Sequence, residues 1–88
     1  MYKIVYTKEA AKDIPKLKSA HLDGKAKALI ALIKETPYHT PPPYEKLVGD
    51  LSGYCSRRLN IKHRLVYRVY EEEKTIKIIS MWTHHENV

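Results

Sequence analysis

Three consecutive prolines, Pro41–Pro43, divide this chain into two halves of different character. Proline has no amide hydrogen, and its ring clashes with the preceding helical turn. Such a run can neither continue a helix nor lie in a central strand. The stretch YHTPPPYEKLVGDLSG therefore reads as an ordered loop stiffened by polyproline geometry, closed as a turn at Ser52–Gly53. It is too short, and too apolar at Leu47, Val48 and Leu51, to link two domains. With 88 residues the chain reads as a single domain spanning 1–88.

On the N-terminal side, YKIVY at 2–6 alternates in β-forming residues and predicts a strand. Thr7 can cap the helix that follows, whose apolar positions are Ala10, Ala11, Ile14 and Leu17. Pro15 within it predicts a kink or break. A second helix is expected from His21 or Asp23 to Glu35, with Leu22, Ala26, Leu29, Ile30 and Ile33 on one face. Thr36–Pro37 ends it, because the residue before proline avoids helical geometry. On the C-terminal side, three strands are expected near 54–60, 63–70 and 75–82, with reversals at Asn60–Lys62 and Glu71–Lys74. The order β-α-α-β-β-β predicts an α+β fold: a mainly antiparallel sheet with two N-terminal helices packed on one face.

All four arginines (Arg57, Arg58, Arg64 and Arg68) fall inside YCSRRLNIKHRLVYRVY, which contains no acid. Strand parity puts Tyr54, Ser56 and Arg58 on one face and Cys55, Arg57 and Leu59 on the other. Each face mixes cations with apolar groups, unlike a solvated sheet face. Taken singly, these arginines fit edge-strand or snorkelling roles equally well. Together they favour an anion site, since the guanidinium fork matches phosphate oxygens. The formal net charge of +6 agrees with a polyanionic partner. Glu45, His63, His84 and His85 are the available proton-transfer groups.

Cofactor and metal motifs are absent. There is no glycine-rich phosphate loop, no CxxC and no HExxH, and adjacent histidines in a strand point apart. The lone Cys55 reads as a small core residue in a reducing compartment. The N-terminus has no apolar leader, so a cytoplasmic protein without membrane association is expected.

The segment YEKLVGDLSGYCSRRLNIKHRLVYRVY, with a later strand ending in WTHH, resembles the YoeB/Txe toxins of the RelE superfamily. The resemblance is close over about 44–85 and otherwise rests on element order. It implies a RelE-like, microbial-RNase-like fold. It also implies metal-free cleavage of mRNA in the ribosomal A site, by attack of a ribose 2′-OH on the adjacent phosphate. Carried over, Glu45 is the general base, Arg64 the transition-state cation, His84 the general acid and Arg58 a phosphate contact. His85 and Lys46 are further RNA contacts, and a slip of one residue would make His85 the acid. Partners implied are ribosomal RNA, an acidic YefM/Axe-like antitoxin, and a toxin homodimer or toxin–antitoxin hetero-oligomer. Arg57, facing away from Arg58, is expected to meet the antitoxin or distant RNA, and Arg68 to be structural.

The chain departs from the family pattern in three places, the first a turn at 71–74 longer than in some relatives. Val48 stands where a lysine is frequent, and His84–His85 replaces a terminal His-Tyr. The contrasting expectation is a non-catalytic basic module that binds RNA or an acidic partner and has no use for Glu45 or the C-terminal histidines.

Overall fold

The computed structural model describes residues 1–40, 43–47, 49 and 53–84, with Thr83 and His84 described through their backbone alone. The elements are β1 (Lys3–Tyr6), α1 (Lys8–Ser19), α2 (Asp23–Glu35), β2 (Tyr44–Lys46), β3 (Tyr54–Arg58), β4 (His63–Tyr70) and β5 (Thr75–His84). They build a five-stranded sheet in the order β1-β5-β4-β3-β2. The pairs β2–β3, β3–β4 and β4–β5 are antiparallel, and β1 lies parallel to β5. Both helices pack on one face, where Ala10, Leu17, Ala26, Leu29 and Ile33 meet Cys55, Leu59, Leu65, Tyr67, Ile76, Ile78 and Met81.

The expected α+β architecture is present, with two differences. Tyr44–Lys46 forms an edge strand where a loop is expected, so Glu45 stands on the sheet. The pairing partner β3 creates this strand, and three residues after a proline carry no period of their own. The second difference is at Pro15, where α1 runs through without a break. Pro15 is on the exposed side of the helix, so the carbonyl it deprives of a partner can be met by water.

Local chemistry fixes the ends of these elements. Thr7 Oγ1 accepts from Ala10 N at 3.0 Å, capping α1 as expected. The same hydroxyl donates to Ile79 O at 2.7 Å. In the hairpin between β3 and β4, Asn60 Oδ1 accepts from Lys62 N at 2.8 Å and His63 N at 2.7 Å. An asparagine placed so closes the reversal through its own side chain.

The last part of β5 is held differently from the first. From Thr75 to Ile78 it has β1 on one side and β4 on the other. Beyond Ile78, β1 has ended, and β5 carries extra residues relative to β4: while β4 advances from Arg64 to Val66, β5 covers Ser80 to Thr83. Such bulges leave backbone groups without ladder partners. Helix α1 supplies replacements. Asp13, only 3% exposed, accepts from Met81 N at 2.9 Å, and Lys16 Nζ lies 3.6 Å from its other oxygen. Sequence reasoning overlooked Asp13. Its signal was the spacing 10, 13, 17, which sets an acid on the buried stripe of α1.

Candidate active site on the open sheet face

The register of the sheet decides which side chains share a face. Glu45 pairs with Ser56, Arg58 with Arg64, and Arg64 with Thr83. Paired residues point the same way, so Glu45, Ser56, Arg58 and Arg64 all belong to the face opposite the helices. With Pro43 and Tyr44 they line a concavity of about 210 Å³.

Within it, Arg64 Nη1 donates to Glu45 Oε1 at 2.9 Å. The Arg64 side chain is 15% exposed and that of Glu45 is 62% exposed, so the carboxylate is the solvent-facing partner. Arg58 is exposed beside them and has no carboxylate partner among the described residues. Two guanidiniums at directly paired positions repel each other, and one carboxylate neutralises only one of them. The concavity therefore keeps a surplus positive charge that an anion can satisfy. Ser56 lines it too; its hydroxyl is buried and without a hydrogen-bond partner among the described residues. An unsatisfied buried hydroxyl is costly, and a phosphate oxygen would relieve it.

The other expected site residues are placed less uniformly. His84 occupies the register position opposite His63, one step past the Arg64–Thr83 pair. Before it, the ring of Trp82 stacks on buried His63 at 3.8 Å between centroids. His85 and Val48 lie outside the described residues. Lys46 pairs with Cys55 and so belongs to the opposite face, its Nζ 5.7 Å from the Tyr38 ring. Period-two alternation thus separates Lys46 from Glu45 and removes it from the concavity.

Arg57 corrects a second expectation. It is fully buried on the helix-facing side of the sheet. Its Nε donates to Tyr67 Oη at 3.1 Å, and its Nη2 to Pro37 O at 3.1 Å and His39 O at 2.8 Å. Tyr67 Oη in turn donates to Pro37 O at 2.7 Å. Burial pushes the Tyr67 phenol up to about 12 against the opposing pull of Arg57, so it stays neutral and can donate. Arg57 is therefore a structural pin for the segment after α2, with no surface to offer an antitoxin or RNA. Strand parity gave its face correctly, but the loop carbonyls that enclose it have no sequence signature.

This architecture is shared with solved toxin structures. A YoeB/ParE toxin from Agrobacterium tumefaciens superposes with a TM-score of 0.85 at 33% identity, over 94% of this chain and 99% of that one. The toxin in a YoeB–YefM complex from Staphylococcus aureus does so at 0.80 and 31%, over 97% and 99%. The fold is thus that of the RelE-like bacterial toxins. Within that class, the chain belongs to the YoeB-like toxins of bacterial type II toxin-antitoxin systems, whose family model matches residues 6–85. Among curated relatives, toxin RelK of Mycobacterium tuberculosis is 46% identical over 48 residues, a stretch covering 54% of this chain and 56% of that protein. The match thus spans little more than half the length of that relative.

Proposed function

We propose that this protein is an endoribonuclease that cuts mRNA on the ribosome without a metal ion. The observation that carries this reading is the paired Glu45–Arg64 couple beside Arg58 in one basic concavity. Cleavage by an internal 2′-OH requires a base, an acid and a cation around one phosphorus. In the resting site Glu45 is held by Arg64. An incoming phosphate competes for the guanidinium, and the carboxylate is then available to the ribose. Glu45 takes the 2′-OH proton as that oxygen bonds to phosphorus. Arg64 and Arg58 meet the charge that grows on the non-bridging oxygens. The bond to the 5′-oxygen breaks, and that oxygen takes a proton from His84, the residue that β5 carries one step beyond the partner of Arg64. The products are a 2′,3′-cyclic phosphate and a 5′-hydroxyl end, with the proton count unchanged. His85 adds an RNA contact next to His84. Lys46, turned to the other face, has no part at the scissile phosphate.

The +6 net charge suits docking on ribosomal RNA, and an acidic antitoxin of the YefM kind would compete for the same cations. Toxin dimers or toxin–antitoxin hetero-oligomers would be the stored form, in the bacterial cytoplasm. Among the described residues, no helix is long and apolar enough to cross a membrane.

Primer extension on translated mRNA tests the reading. New 5′ ends with the wild type, lost in Glu45→Gln and in His84→Ala, support it. Loss in His85→Ala but not in His84→Ala would move the acid one residue along. An absence of new ends at any concentration of folded protein would leave the non-catalytic binding module as the function.

A further inference from the structure

The open face of the sheet carries more than the concavity. Tyr54 pairs with Arg68, Arg68 with Lys77, Tyr70 with Thr75, and Thr75 with Lys3. By the alternation that groups Arg58 with Arg64, all of these side on the same face. Its strand residues include Lys3, Arg58, Arg64, Arg68 and Lys77 against a single acid, Glu45. The guanidinium of Arg68 lies 5.4 Å from the Tyr54 ring centroid and 5.2 Å from that of Tyr70. It also passes over Gly53, where a Cβ would sit 3.7 Å from Arg68 Nε. All three side chains are half-buried, and Arg68 has no carboxylate partner among the described residues. The acidic turn at Glu71–Glu73 follows directly after Tyr70 and bounds this surface.

We propose that Tyr54, Arg68 and Tyr70 form a base-stacking subsite for single-stranded RNA, with Lys77 as its phosphate contact. This rests on the endoribonuclease reading only for the identity of the occupant. Two rings and a planar cation, half open to solvent, offer the flat surfaces on which bases stack whatever their sequence. Arg68 lies four residue steps from Arg64 on β4, about 13 Å along the strand. An RNA strand whose scissile phosphate sits between Arg58 and Arg64 can therefore lay a flanking nucleotide on the platform. The excess of cations over acids along the way favours a polyanion whose charge follows its backbone.

The test uses fluorescence anisotropy with a short, fully 2′-O-methylated RNA, which cannot be cleaved, and an abasic strand with the same number of phosphates. The base-bearing strand should bind the wild type roughly tenfold more tightly than the abasic one. That comparison needs no variant. Arg68→Leu and Tyr70→Leu should bring the two affinities together, while Tyr70→Phe, which keeps the ring, should preserve the difference. Lys77→Ala should weaken both strands alike and flatten the salt dependence. Equal affinities for the two strands in the wild type would overturn the subsite, as would a preference that survives the leucine substitutions. An acidic peptide of matched charge that binds as tightly as the RNA, and depends on Arg68, would assign the face to a protein partner instead. None of these measurements requires cleavage. A Glu45→Gln protein that no longer cuts but keeps the base preference would separate this inference from the catalytic one.

Discussion

Arg57 and Arg58 are neighbours in the chain and opposites in the fold. One turns toward the helices, where loop carbonyls and a tyrosine hydroxyl enclose it completely. The other turns toward the open face, where its nearest charged neighbour in register is another arginine. The helix-facing side uses its cation to finish a hydrogen-bond network, and the cost of burying charge is offset by bonds to Tyr67 Oη, Pro37 O and His39 O. The open side leaves its cations short of acids. A guanidinium whose donors are saturated by its own fold is structural; one whose donors remain available is a binding group. The sequence SRR holds both kinds side by side, and only the pleat distinguishes them.

That contrast breaks most readily at Arg64. Arg64→Ala should lower mRNA cleavage by about 10²–10³-fold, in line with the loss of one preorganised charge-stabilising group. Its melting temperature should stay close to the wild-type value, because the lost ion pair is with a mostly exposed carboxylate. Primer extension and thermal unfolding on the same preparation read both. Arg57→Ala should do the reverse. It takes this donor from His39 O, removes one of the two bonds at Tyr67 Oη and at Pro37 O, and empties a fully buried position, at roughly 3 kcal/mol or more. For a chain of this size that is a fall in Tm of more than about 10 °C. Cleavage by the molecules still folded should persist at low temperature. A stable Arg57→Ala protein would sink the structural assignment.

Tyr67→Phe probes the same network more gently, with an expected loss of about 1–2 kcal/mol by denaturant titration. It also carries a pH signature. Burial raises the Tyr67 phenol from 10.0 to about 12, so the folded chain retains a proton that the unfolded chain releases. The stabilisation is whole below pH 10 and is lost as pH rises toward 12. In Tyr67→Phe that alkaline decline should flatten; an unchanged decline would point to other groups. The smallest effect is expected at Lys46. Its exposed side chain faces away from the concavity, and Lys46→Ala should shift stability by no more than about 0.5 kcal/mol and leave cleavage intact. A large catalytic loss there would mean that the edge strand turns over when RNA binds.

Much of this was legible in the sequence, for identifiable reasons. Helical spacing marked Ala26, Leu29 and Ile33, and a threonine before a helical run marked the cap. Alternation set Arg58 on the face away from Arg57, and the pairing puts Arg64 on the same face as Arg58. What escaped was non-local. The strand at Tyr44–Lys46 exists because the edge of β3 is there to pair with it. Asp13 is explained only by the backbone of Met81, far along the chain. The enclosure of Arg57 depends on carbonyls contributed by the segment after α2. Each is an interaction between residues well separated in sequence, which a local period cannot encode.

The parallel alliance of β1 with β5 has a consequence for how the protein comes into being. Lys3 finds its neighbour at Thr75, and Thr7 and Asp13 find theirs at Ile79 and Met81. A growing polypeptide that has not yet reached Thr75 thus has nowhere to seat its first strand or the helix that follows. The β3–β4 hairpin can pair early, but the layer of helices behind it waits for the last strand, and long-range closure of this kind is slow. Completion of the fold is thereby tied to completion of the chain: the last strand must be made before the first has a neighbour to lie against.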